Sequence, residues 1–417
     1  MTSKALFFKL MKEDFKKKIW IIVLGLIVSL FVNPIRVLMH IENTLVTNPL
    51  VDHKVMTDII FYDLLPYNVG MSVVPAVIAF LLAIVGFSYL FNKKKVDLYH
   101  SLPIKRERLF LIIYLNGIIS FLIVSVITSF VLILAIMSKG YLTVNILSTI
   151  GSILIATIIY FLLFYHVAIV AVMLTGNIIT AALGSGVLYL YGWLMQDLLQ
   201  NYFNQCFVSS YRINTDIIDY IPIISPVSSL IQWISIYNDV ADINGGKLTL
   251  CLINALIQGV IALIVAIILY KKRESEVAGK AMAFKFAQPV IKVLLMLMLT
   301  LMGGLYCSLF ARNGYNSLFW YWFGFIVAAI LSHCIIEIIY HADFKACFQR
   351  KLQSCVIIAA AALIGSCFQY DLLGYDRYLP DENQVEYCSV NFDNINSELE
   401  PYKIKEDESG KKVLQYT

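Results

Sequence analysis

Residues Asn92 to Arg108 read NKKKVDLYHSLPIKRER, a basic stretch held between two long apolar runs at 71-91 and 109-137. About 20 apolar residues suffice to cross the roughly 30 Å of hydrocarbon in a bilayer, and both runs reach that length. A connector so rich in charge cannot lie in lipid, so the two runs read as successive membrane spans. Lys and Arg in short loops stay on the cytoplasmic side, which places this connector inside.

Working outward, the same pattern repeats along the chain. The 417 residues are 59% hydrophobic and only 14% charged, with a mean hydropathy of +0.77. These values exclude a soluble domain of this size and predict an all-α polytopic membrane protein. About nine apolar runs are long enough to span, centred within 19-38, 71-91, 109-137, 145-174, 177-198, 248-270, 287-310, 317-340 and 353-369. Basic residues cluster in the N-terminal arm, in 92-108, after the sixth run (Lys271, Lys272, Arg273, Lys280, Lys285) and after the eighth (Lys345, Arg350, Lys351). With nine spans all four clusters fall on one face, while the opposite loops carry Asp52, Asp58, Asp63, Asp216, Asp219, Asp239 and Asp242. The expected topology has the N-terminus cytoplasmic and the C-terminus extracytoplasmic.

The arm 1-18 is amphipathic, with Phe7, Phe8, Met11 and Phe15 on one side and Lys9, Lys12, Glu13 and Lys16 on the other. It predicts a helix in the inner interface, the alternative being a simple topogenic tail. Asn33-Pro-Ile-Arg36 follows the first run where a cleavage site would need small residues, so that run reads as an uncleaved span.

The outer loop 199-247 is too long for a simple connector. Within Pro226-Ile236, Val227, Leu230, Ile231 and Ile234 recur at helical spacing, Ser228, Ser229, Gln232 and Ser235 take the other face, and Trp233 suits the headgroup level. A short re-entrant or interfacial helix is expected, against a packed surface loop. Beyond Gln369 the composition turns acidic, and Val385-Phe392 has strand character. The tail 370-417 is shorter than what usually buries its own core. It either leans on the membrane domain or belongs to a larger extracytoplasmic domain, of which this chain would be a truncated part.

Few groups carry chemistry. No GxxxxGK[ST], HExxH or GxSxG motif occurs, so neither ATP binding of the usual kind nor catalysis is expected from this chain. Seven of the eight cysteines lie in or beside spans without metal-ligand spacing, and no metal site is expected. Asp197, Lys292, Glu337 and His341 are read near span ends, where snorkelling lowers their cost, and His166 and His333 lie deeper. Tyr160, His166 and Tyr189 could line a polar translocation path, although interhelical hydrogen bonding is the favoured reading for His166. Small residues Thr180, Ala181, Gly184 and Ser185, and the pair Gly303-Gly304, allow close helix approach either within one chain or at a dimer seam.

In the connector itself, Val96-Leu102 can form a short helix that Pro103 stops, and Ile104-Leu109 leads into span three. At Leu102-Pro103-Ile104-Lys105-Arg106 the chain resembles the permease subunits of ABC-2 type exporters, in which a similar Leu-Pro motif joins spans two and three; Lys105 replaces the commoner serine. The likeness extends over about residues 1-273 in its ordered features, namely the arm, the connector, the long outer loop and the basic end of span six. The tract Tyr270-Phe284 also looks like a bacterial subgroup of these permeases with extra spans and an extracytoplasmic C-terminal domain.

The resemblance implies a type V exporter-like six-span core at 19-273, three additional spans at 274-369 and residence in a bacterial plasma membrane. It implies a transport subunit without its own ATPase site, which pairs with a second copy or a related permease and with separate ATP-binding subunits that hold ATP and Mg. By position, Asp97, Tyr99, His100, Leu102, Pro103, Arg106, Glu107 and Arg108 would contact or support those subunits. Other readings stay open: a secondary carrier or channel without an ATPase, and a membrane sensor or assembly protein. No substrate is legible.

Overall fold

The computed structural model describes residues 3-65, 69-207, 225-238, 245-311, 317-341, 343-348, 350-378, 402-406 and 412-416. The chain divides into two units, 1-372 and 373-417.

The first unit begins with α1 (Ser3–Leu30), which continues through a π-helical segment (Phe31–Ile35) into α2 (Arg36–Thr47). No helix boundary falls at Lys18, so the arm is a direct extension of the first span. The residue types explain this, because neither proline nor glycine interrupts α1 before Gly25. Pro34 lies in the π-helical segment, where a widened turn accommodates a residue that has no N–H to donate.

There follow α3 (His53–Leu64), α4 (Val69–Gly86), a 3-10 turn (Ser88–Phe91), α5 (Lys93–His100), α6 (Arg106–Ser138), α7 (Val144–Leu174) and α8 (Ile178–Cys206). After them come α9 (Pro226–Asn238), α10 (Gly245–Lys272), α11 (Ala287–Ser308), α12 (Ser317–His341) and α13 (Lys351–Gln369). Eight helices among the described residues are long and apolar enough to cross a membrane, and they match eight of the nine expected runs. The remaining run, 71-91, forms α4 and the 3-10 turn; the 18 residues of α4 extend about 27 Å at about 1.5 Å per residue.

Helices α1, α4, α6, α7 and α10 share the main core, in which Phe121 of α6 stacks on Phe161 of α7 at 3.7 Å between ring centroids. Helices α11, α12 and α13 pack on α8 around Leu198, Tyr202, Leu301 and Tyr321, with the Tyr202 and Tyr321 hydroxyls 2.9 Å apart. The additional spans therefore build a second core against span five. Gly303 of α11 has no room for a side chain, because a Cβ there would overlap Ala328 of α12. On α8, Ala181 and Ser185 are buried and the Thr180 hydroxyl donates to the Ala281 carbonyl at 2.9 Å. Both small-residue stripes thus serve contacts within the chain.

The α9 helix forms where expected, and both of its faces contribute to packing. Ser228, Ser229, Leu230 and Trp233 are buried while Ile231 is 43% exposed; Val227 and Ile234 pack partly on the main core, and Trp233 packs on Tyr160.

In the second unit, β1 (Tyr402–Glu406) pairs antiparallel with β2 (Lys412–Tyr416), Ile404 opposite Leu414. This unit starts at Leu373, a few residues later than the composition change. The strand expected at 385-392, and the acids at 216, 219, 239 and 242, lie outside the described residues.

Candidate functional site

The connector between α4 and α6 holds a short helix as the sequence suggests, but it spans Lys93–His100 and not Val96–Leu102, ending ahead of Pro103. Asn92 caps α5, its Oδ1 accepting from the backbone N–H of Lys94 at 3.0 Å. Val96 is buried and anchors the helix, and Ser101 N–H closes its last turn on the Asp97 carbonyl at 2.9 Å. Around Pro103 the Ile104 N–H donates to the Leu102 carbonyl at 2.7 Å, and α6 begins at Arg106.

Three clamps hold the connector, from α5 to the start of α6, to the rest of the protein. Tyr99 stacks on Tyr89 with centroids 4.7 Å apart and its hydroxyl accepts from Lys17 Nζ at 2.8 Å, which ties α5 to the arm. Arg106 Nη2 donates to Ser275 Oγ and to His100 Nδ1, each at 3.2 Å. Glu107 pairs with Lys271 at 2.8 Å. An Nδ1 that accepts from a guanidinium belongs to a neutral imidazole. Burial, and then the Arg106 charge, hold His100 below its ordinary pKa, against the opposing pull of Asp97.

Beneath these contacts lies Arg273, which sequence reading treated only as part of a basic cluster. Its side chain is buried, and Nη1 donates to the carbonyls of Val172, Met173 and Thr175 at 2.8, 2.8 and 2.6 Å while Nη2 donates to Leu90 at 3.2 Å. One guanidinium thus satisfies carbonyls at the C-terminal end of α7, where the helix dipole favours a cation. The following tract continues the clamp: Ala283 N–H donates to Leu174 at 2.8 Å and Gly279 N–H to Gly176 at 2.8 Å. Gly176 must be glycine, since a Cβ would overlap the carbonyls of Val277 and Lys280. The connector, the α7–α8 turn and residues 270-283 form one basal hub.

The arm joins the hub through a buried network. Lys18 Nζ lies 2.7 Å from Asp14 Oδ2 and 2.9 Å from the Ile113 carbonyl, and Asn116 Nδ2 donates to Asp14 Oδ2 at 2.8 Å and to the Met11 carbonyl at 2.9 Å. Phe15 packs on the main core. Phe7 and Met11 are half-buried, whereas Phe8 is exposed.

The eight residues expected to act together therefore divide. Tyr99, His100, Arg106 and Glu107 are engaged within the hub. Asp97, Pro103 and Arg108 are exposed, and Leu102 is half-buried. Sequence reading missed Leu98, which is 63% exposed; its position two residues from buried Val96 puts it nearly opposite on the helix, a signal that was available.

A cavity of about 100 Å³ lies between α1, α4, α6, α7 and α9. Ser29, Asn33, Ser125, Thr128, Thr157 and Trp233 are among its lining residues, and Asn33 Oδ1 is buried without a hydrogen-bond partner among the described residues. No charged side chain lines it, so it suits neutral, partly apolar groups. Of the expected path residues only Tyr160 borders it, with its hydroxyl donating to Ser229 at 3.0 Å. Tyr189 donates to the Phe164 carbonyl at 2.7 Å. His166 donates from Nδ1 to the Gly259 carbonyl and accepts at Nε2 from Tyr114, both at 2.9 Å. These two sites are interhelical hydrogen bonds. Among the described residues no group of three His, Cys, Asp or Glu side chains is placed to hold a metal ion.

The fold and the hub define an all-α, multi-pass membrane protein whose basal connector is braced against three helices. No protein-family profile, no curated protein and no solved structure matches the chain.

Proposed function

We propose that this chain is the membrane-spanning permease subunit of an ABC-2 type exporter, driven by ATP hydrolysis on a separate subunit. The observation that carries the reading is the bracing of α5: a short helix between spans two and three, joined to the arm by Tyr99–Lys17 and to the tract after span six by His100–Ser275. A force on such a helix is transmitted to spans one, three, four and six together. The exposed side chains Asp97, Leu98 and Pro103 are the surface on which an ATP-binding subunit acts, with Leu98 the apolar anchor. The engaged residues Tyr99, His100, Arg106 and Glu107 support that surface from behind. In this reading the chain binds no nucleotide itself, and two permease chains in the plasma membrane form the path.

The test is co-purification. The tagged chain drawn from its native membrane should carry a stoichiometric subunit containing a phosphate loop, and Leu98→Asp should lose it while still inserting normally. A chain that transports fully without any ATP-binding subunit would overturn the reading.

A further inference from the structure

Helices α11 and α12 bury a charge pair. Lys292 Nζ lies 2.6 Å from Glu337 Oε1, and neither side chain has any exposed surface. Both were expected to snorkel from span ends; instead they turn toward each other inside the helix pair. Taking two charges out of water is costly even when they are matched, and ionisable residues at such depth mark function by default.

The pairing is also incomplete. Glu337 Oε2 is buried and accepts no hydrogen bond from the described residues. Its nearest cationic partner is His341 Nε2 at 3.5 Å, on the last residue of α12, which is about one-third exposed. The other polar groups around it are occupied. Tyr340 donates to the Gln288 carbonyl at 3.0 Å, Arg350 reaches Gln288 Oε1 at 3.3 Å, and His333 is held between Cys347 and Ser354. Among the described residues, the partly exposed group that reaches this buried carboxylate oxygen is the imidazole one helical turn away.

We propose that Glu337 is a proton-binding site loaded through His341. In the step, the His341 imidazolium gives its Nε2 proton to Glu337 Oε2, and the carboxylate becomes a carboxylic acid. The neutral imidazole, which keeps its Nδ1 proton, turns its vacant Nε2 to solvent and regains a proton there from hydronium. One proton enters, no other bond changes, and Lys292 loses its counter-ion. The buried pair passes from neutral to singly positive, which weakens the α11–α12 attachment and lets a proton move the additional spans. This inference does not rest on the ATP-driven reading.

Infrared difference spectroscopy on the full chain in lipid nanodiscs, between about pH 8 and about pH 5, tests it. The wild type should gain a carboxylic-acid band on acidification that the Lys292→Met/Glu337→Gln double variant lacks. That variant keeps the site uncharged, so it avoids the unpaired lysine that Glu337→Gln alone would bury. His341→Phe should keep the band at equilibrium but slow its rise after a pH jump by about a hundredfold. Identical spectra for the wild type and the double variant would show that Glu337 takes up no proton. Loading of His341→Phe at the wild-type rate would remove the entrance assigned to His341.

Discussion

Arg273 Nη1 stands 2.6 Å from the carbonyl oxygen of Thr175, so the residue just after α10 closes the end of α7. The same guanidinium reaches Leu90 at the foot of α4. Three helix ends are thereby fixed to one side chain, which burial holds below its ordinary pKa, at about 10, so that it stays charged at neutral pH.

Replacing Arg273 by Met should destabilise the purified chain by at least about 3 kcal/mol, because several buried carbonyls lose their donor together. Arg273→Lys should recover only part of this, since an ammonium lacks the planar fork. Thermal unfolding in detergent gives the comparison. Equal midpoints for wild type and Arg273→Met would mean that the hub does not depend on this cap.

The hub should also loosen in acid. His100 has a lowered pKa in the folded protein, so the unfolded chain binds the proton first. Its contribution to stability is present above the unfolded value of about 6.5 and is lost as pH falls through the lowered folded value. A protonated Nδ1 also cannot accept from Arg106. Protease cleavage within 92-108 should therefore rise as the pH drops from about 7.5 to about 5.5, and His100→Asn should flatten that rise. A pH-independent cleavage rate in the wild type would refute the role given to this imidazole.

Burial on α9 predicts opposite outcomes for two apolar neighbours. Trp233→Ala should cost about 3 to 5 kcal/mol by opening space against Tyr160 and the cavity, whereas Ile231→Ala should cost less than about 1 kcal/mol because its side chain already faces outward. Unfolding midpoints of the two variants distinguish the faces. A larger loss for Ile231→Ala would mean that Ile231, and not Trp233, lies on the packed face.

How much was legible follows the physics of each signal. Span positions were readable because length and apolarity alone set them, and a short helix in the connector was readable from Pro103 and the charge between two spans, although its start at Lys93, capped by Asn92, was not. The burial of Ser228 and Ser229 on α9 was not, since small polar residues pack between helices without any hydropathy signal. Lys292 and Glu337 do lie near helix ends as read, but their buried pairing was hidden because sequence position near a helix end does not say whether a partner waits on the next helix. Arg273 was hidden for a similar reason: its partners are backbone carbonyls, which leave no mark on side-chain sequence. Gly303 was visible as a close-packing residue, but only the Ala328 contact shows which helix it meets.

The arm provides the sharpest test of how force could pass between elements. Lys18 is fully buried and holds Asp14 at 2.7 Å, and the same carboxylate oxygen accepts from Asn116 of α6 at 2.8 Å. Asp14→Leu leaves an uncompensated buried ammonium and should cost about 3 to 5 kcal/mol. Lys18→Met alone leaves the carboxylate with Asn116 and should cost less, because Asp14 retains some exposure. The double variant, with neither charge, should regain most of the loss, since matched removal of a buried pair is often close to neutral. A double-mutant cycle on unfolding free energies reads the coupling directly. Additive single effects would mean that Lys18 and Asp14 act separately. A strong coupling, with stability restored but the proposed ATP-driven transport still lost in the double variant, would assign the pair to linking the arm with span three.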